Sequence, residues 1–133
     1  MRRHSVVTRV RYGETDQMGV VYHANYFLYF ELGRTELMRA AGFPYSELER
    51  RGIFLVVTEA GCRFRAPARY DEEIRIDTRV ARLGKATVRF EYEIRGADGQ
   101  LRAEGHTELA AVDRATQAPV RLPEEIAAHL DAP

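Results

Sequence analysis

The sequence is short of the side chains on which most catalytic templates depend. Cysteine occurs once, as Cys62, so no disulfide closes within the chain and a thiol-rich metal site is excluded. The two serines, Ser5 and Ser46, stand outside any G-x-S-x-G elbow, which argues against a serine hydrolase. The four histidines, His4, His23, His106 and His129, show no metal-ligand spacing, and phosphate loops, dinucleotide fingerprints and H-E-x-x-H helices are missing. An excess of one charge is missing too. The 20 basic and 20 acidic residues cancel, so the whole-chain charge does not suggest nucleic acid or a membrane surface as a partner. No apolar run approaches the roughly 18 residues of a membrane span. The stretch Met1 to Ser5 leads into alternating residues instead of a signal-peptide core, so the cytoplasm is the expected location.

What the chain has is 45% hydrophobic residues in a length of 133, enough for one core and a single domain over residues 1–133. Two periodicities organise it. Ser5 to Tyr12 alternates as a strand, with Val6, Thr8, Val10 and Tyr12 in one phase, and a loop follows from Gly13 to Tyr22. Between Ala24 and Ala41, Tyr26, Phe30, Gly33, Leu37 and Ala41 recur at intervals of three and four, which predicts a helix with Asn25 or His23 as its cap. Gly42-Phe43-Pro44 stops it. Phe27, Leu28, Tyr29 and Leu32 widen its apolar surface, so it should be covered on several sides. Gly33 costs about 1 kcal/mol against Ala in a helix interior and predicts another backbone close by. Tyr45 to Arg51 reads as a short second helix.

Four period-two segments follow. Their apolar phases are Phe54 to Phe64 on even numbers, Ile74 to Val80, Ala86 to Ile94, and Leu101 to Leu109; the opposite phases of the last three are largely charged. That is the pattern of antiparallel strands with one face on a core. Ala97-Asp98-Gly99-Gln100 marks a tight hairpin, and Leu122-Pro123-Glu124-Glu125 opens a C-terminal helix to about Leu130. One long apolar helix and a meander that needs a cover predict an α+β architecture, an antiparallel sheet wrapped around a central helix, which is the hotdog fold.

The segment with chemical content is Tyr12-Gly13-Glu14-Thr15-Asp16-Gln17-Met18-Gly19-Val20-Val21-Tyr22-His23-Ala24-Asn25-Tyr26. With Glu31 and Arg34-Thr35-Glu36 behind it, the run T-D-x-x-G-V-V-Y-H-A-x-Y resembles the acyl-CoA thioesterases of the 4-hydroxybenzoyl-CoA thioesterase superfamily. It is most similar to the branch associated with the bacterial Tol-Pal system. The resemblance continues through Arg65 to Asp71 and Arg121-Leu122-Pro123, nearly the whole chain. It implies a cytoplasmic homo-oligomer, a dimer or a tetramer of dimers, that hydrolyses acyl-CoA without a cofactor, with Asp16 as the essential carboxylate. Tyr12 and His23 match the other polar positions of that branch's site. Thr58 and Glu59 lie where that family's geometry lets a neighbouring subunit reach the cleft. Lys85 and Arg65, with Arg63 and Arg69 as further candidates, are the expected contacts for CoA phosphates.

Chemistry makes so small a site sufficient. A thioester releases a thiolate whose acid has a pKa of roughly 8.5, so leaving-group protonation is undemanding. One carboxylate and one oxyanion donor are enough, with Asp16 acting on water or directly on the carbonyl, and backbone N–H groups at the helix start around His23 receiving the charge. Glu31, Glu36 and Glu59 are alternative acids. Two other readings use the same cleft: a non-catalytic acyl-CoA or acyl-carrier sensor, and a hydratase or dehydratase in which Asp16 and His23 form an acid/base pair. Cys62, in the apolar phase beside Phe64, is expected to be a buried, inert thiol.

Overall fold

The computed structural model describes residues 1–133. Strand β1 (Arg3–Arg9) is followed by two 3-10 turns, Tyr12–Glu14 and His23–Asn25, and then by α1 (Tyr26–Ala40) and α2 (Tyr45–Arg50). Strands β2 (Ile53–Phe64), β3 (Glu73–Leu83), β4 (Thr87–Gly96) and β5 (Leu101–Asp113) come next, and α3 (Glu124–Asp131) closes the chain. The five strands form one antiparallel sheet in the order β1-β3-β4-β5-β2, and α1 packs across it, chiefly on β1 and β3. This is the hotdog architecture.

The alternation in β3, β4 and β5 does what its period requires. Ile74, Ile76 and Val80, then Val88, Phe90, Tyr92 and Ile94, then Ala103, Thr107 and Leu109 are buried against the helix. Phe30 of α1 stacks on Tyr92 at 4.4 Å between centroids. The outer face carries cross-strand ion pairs such as Arg79 with Glu91, Arg82 with Glu108 and Arg65 with Glu104. Gly42, at φ 88°, ends α1 as expected. What approaches Gly33 is not another backbone but two side chains of β3: a Cβ there would meet Thr78 Oγ1 and lie 2.8 Å from Ile76 Cγ2.

Three local expectations are corrected. The first strand stops at Arg9, because Val10 turns its N–H to Glu72 O at 2.9 Å and the chain enters a 3-10 turn at Tyr12. Asn25 stands at the N-cap position of α1, but neither its side chain nor that of His23 makes a capping hydrogen bond, and the chain enters the helix through the second 3-10 turn. In β2 a bulge at Thr58 breaks the pairing with β5 between Val57 and Glu59, so the inward phase changes there. Leu55 is in the core before the bulge and Cys62 packs on it after, while Val56 is exposed.

Candidate active site

The loop between β1 and α1 folds back on itself before the helix begins. Thr15 and Val21 form an antiparallel bridge, and the Asp16 N–H donates to Val20 O at 2.9 Å. Gly19, at φ 78°, completes the turn and donates its N–H to the Asp16 carbonyl at 2.9 Å. This small hairpin is tied to the segment between β2 and β3 by a bridge from Val20 to Arg69 and by the Val21 N–H donating to Ala68 O at 2.8 Å. That segment is itself anchored by a largely buried ion pair. Arg102 donates to Glu72 Oε1 from Nε at 2.8 Å and from Nη2 at 2.7 Å, while Glu72 Oε2 accepts from the Arg69 N–H at 3.2 Å.

Asp16 is half-buried in the turn. Its Oδ1 accepts the Met18 N–H at 2.9 Å, and Oδ2 has no partner within the chain. The turn therefore fixes the carboxylate while leaving one oxygen open. A few residues on, the Asn25 N–H closes the helix entry by donating to Tyr22 O at 2.8 Å. The His23 and Ala24 N–H groups donate to no other group in the chain. These two amides of the 3-10 turn lie just ahead of the positive end of the α1 dipole, a setting that suits a developing negative charge.

Aromatic rings wall this end. The exposed His23 ring leans on Tyr22, 4.6 Å between centroids, and meets the edge of Phe64 at 6.0 Å. Phe64, 51% exposed at the end of β2, also meets Tyr26 at 5.4 Å. Tyr12, the last residue of the expected first strand, is 78% exposed, its ring edge-on to Tyr70 at 5.5 Å. The Cys62 thiol is pushed up to about 11, first by burial and then by Glu104, which keeps it protonated at neutral pH.

Of the residues expected at the site, Asp16, His23, Tyr12 and Arg65 come to the same end of the sheet. Arg65 there pairs with Glu104 at 2.7 Å. Thr58 and Glu59 lie midway along β2, where Thr58 Oγ1 donates to Glu108 O at 3.2 Å and Glu59 pairs with His106 Nε2 at 2.9 Å. Lys85 is in the turn between β3 and β4, its carbonyl accepting the Leu122 N–H at 2.8 Å. At about 3.3 Å per residue, the length of β3 puts that turn about 30 Å from the Asp16 end of the same chain. Glu31 opens on a separate cavity of about 260 Å³, with Arg34, Met38, Tyr45 and Leu55. A hollow of about 970 Å³ lies on the outer face of the sheet among charged side chains and touches no residue of the Asp16 loop.

Sequence reading did not assign to Glu14, Asn25 and Tyr29 the work of holding this loop. Glu14 Oε1 accepts the Arg11 N–H at 2.8 Å and the Tyr29 hydroxyl at 3.0 Å, and the Glu14 carbonyl accepts Asn25 Nδ2 at 2.8 Å. Burial first, and then the Glu14 carboxylate it faces, push the Tyr29 hydroxyl far above its ordinary value. The available signal was the spacing of Asn25 and Tyr29, four apart on one helix face with polar tips in an apolar run.

A five-stranded antiparallel sheet with a long helix packed across it places the chain in the hotdog class of proteins. The chain belongs to the thioesterase-like superfamily, whose family profile matches residues 10–130. It is 33% identical over 121 residues to the acyl-CoA thioester hydrolase YbgC of Escherichia coli O6:H1, covering 91% of this chain and 90% of that one. Among solved structures it matches the DHNA-CoA thioesterase of Staphylococcus aureus with a TM-score of 0.89 and 34% identity, covering 92% of this chain and 82% of that one. A hypothetical protein of Thermus thermophilus, TT1821, matches with a TM-score of 0.86 and 41% identity, covering 93% and 95%.

Proposed function

We propose that this protein hydrolyses acyl-CoA thioesters to the free acid and CoA in the cytoplasm, with Asp16 as general base or nucleophile and the His23 and Ala24 amides as oxyanion donors. The observation that carries the reading is the pairing, across one short hairpin, of a carboxylate with a free oxygen and two helix-start amides with free N–H groups. A thioester carbonyl between them is attacked from the Asp16 side while its oxygen gains charge on the amide side. Asp16 either takes a proton from the attacking water or adds to the carbonyl carbon to give an anhydride that water then opens. In both routes the C–S bond breaks and the sulfur leaves as a thiolate that needs little protonation. His23 and Tyr12 flank the cleft as polar contacts, and Arg65 faces the CoA phosphates.

A second copy of the chain completes this site. Strand β2 is a 12-residue sheet edge on which Val56, Val57 and Ala60 are exposed and no proline or lysine blocks pairing. Antiparallel pairing of β2 with its symmetry mate puts Thr58 and Glu59 at the two-fold axis and the mate's Ile53 end beside Phe64. Because the Ala111 N–H donates to Ala86 O at 2.8 Å and Leu55 pairs with Ala111, Lys85 lies near the Ile53 end of its own subunit. The partner subunit's Lys85 thereby approaches Arg65 of this chain. The assembly is a homodimer, or a tetramer of such dimers.

The test is free-thiol release from a panel of acyl-CoAs by the parent and Asp16→Asn. The expected loss of kcat is on the order of 10²–10⁴-fold. Release untouched by the substitution removes Asp16 from the mechanism, tight binding without turnover supports a sensor, and hydration of an enoyl-CoA without thiol release supports a hydratase.

A further inference from the structure

We infer that Glu14 is a positioning residue: it straps the Asp16 hairpin to α1 and sets where the open carboxylate oxygen stands relative to the His23 and Ala24 amides. The inference rests on the reading of Asp16 and those amides as the reacting pair. Contacts from Glu14 reach both ends of the hairpin. Oε1 accepts the Arg11 N–H at 2.8 Å ahead of the hairpin and the Tyr29 hydroxyl at 3.0 Å within α1. The carbonyl accepts the Tyr22 N–H at 2.9 Å where the hairpin ends and Asn25 Nδ2 at 2.8 Å at the helix entry. Asp16 is two residues from this knot and His23 directly follows it.

The strap is rigid for stated reasons. Tyr29 is buried, with its ring edge-on to Tyr26 at 5.8 Å, so its hydroxyl reaches the loop from a fixed place on the helix. The Glu14 side chain is only 15% exposed, with the Arg11 guanidinium 3.4 Å from Oε2. An ionised acceptor makes each of these bonds about twice as strong as a neutral one. Glu14 has no free oxygen aimed toward the helix amides to compete with Asp16, since Oε1 holds two donors and Oε2 faces Arg11. Its work is done through the geometry of its neighbour.

Three variants test this: Glu14→Ala, Glu14→Gln and the near-isosteric Tyr29→Phe. Glu14→Ala is expected to lower kcat for acyl-CoA hydrolysis at least about tenfold with KM changed less than about threefold, because misplacing a reacting group by an ångström costs up to about 10²-fold. Glu14→Gln, which still accepts at Oε1, recovers most of the loss, and Tyr29→Phe reproduces part of it. Added to Asp16→Asn, Glu14→Ala costs less than about twofold more, since the group it positions is gone. Amide exchange followed by NMR gives an arm independent of turnover: the Asp16 and Tyr22 N–H groups exchange at least about tenfold faster in Glu14→Ala and in Tyr29→Phe. Unchanged exchange in both variants overturns the inference whatever the turnover, as does a full multiplicative loss on top of Asp16→Asn. If the parent releases no thiol from any acyl-CoA, the proposed activity fails and the exchange arm alone still decides whether Glu14 straps the hairpin.

Discussion

Gly33 of α1 lies directly against Thr78 of β3, so close that the Thr78 hydroxyl, buried and without a hydrogen-bond partner, occupies the space a Cβ would need. β3 has no room to retreat, because β1 pairs with it on one side and β4 on the other. This contact sets how deeply the helix sits in the sheet.

Gly33→Ala is accordingly expected to destabilise the protein although Ala is the better helix former. Propensity favours Ala by about 1 kcal/mol, whereas overpacking a buried contact costs about 1–3 kcal/mol. The clash with Thr78 and Ile76 falls at the upper end because both are held in paired strand. Thermal unfolding should show a Tm lower by several degrees; a raised Tm would mean that α1 can lift off β3.

Glu72→Ala should cost about 3 kcal/mol, the loss typical of leaving one partner of a largely buried ion pair behind. Arg102 is left with only its outer contacts to Gln100 and to Asp98 at 3.5 Å, and the Arg69 N–H loses its acceptor as well. Since this segment bridges to Val20 and Val21, the same variant should lose thioesterase activity before it unfolds, which parallel denaturation and turnover curves would reveal.

Val57→Lys places a charge on the open edge of β2, where Val57 is 48% exposed. Edge lysines block strand pairing, so for the proposed β2–β2 dimer sedimentation should show a shift toward monomer, with KM for CoA esters rising if Lys85 is supplied across that interface. A variant that stays dimeric would place the interface elsewhere.

Cys62, with its thiol pushed up to about 11, should be nearly all protonated at pH 8, with about a thousandth as thiolate against roughly a quarter for a free cysteine. Burial raises the value, so reactivity grows with pH well into the alkaline range. Alkylation of the folded protein should be at least a hundredfold slower than of the chain unfolded in guanidinium, and Cys62→Ala should keep its turnover. Cys62 is half-buried at the edge of the core, not fully buried as its sequence phase suggested, and fast labelling at pH 8 would contradict even that shielding.

Much of the fold could be read along the chain because the signals are local. Alternation in residues 74–80, 88–94 and 103–109 states which side of a strand faces the core, and Gly42 before Phe43-Pro44 ends the helix through backbone geometry alone. The β2 bulge escaped because nothing in Val57-Thr58-Glu59 by itself says that one residue is extra; the partner strand decides it. Tyr12 escaped because strand alternation continues in the letters past the point where Val10 turns to Glu72.

The candidate site divides the same way. The run from Thr15 to Tyr26 by itself determined that an acid-bearing turn leads directly into the long helix, since both lie within a dozen residues and need only local bonds to form. Only the tertiary structure decided that Glu14, Asn25 and Tyr29 knot that turn to the helix, and that Lys85 stands at the far end of the sheet. Such placements depend on how α1 is seated over β1 and β3, a packing outcome summed over the whole core that no short stretch of chain encodes.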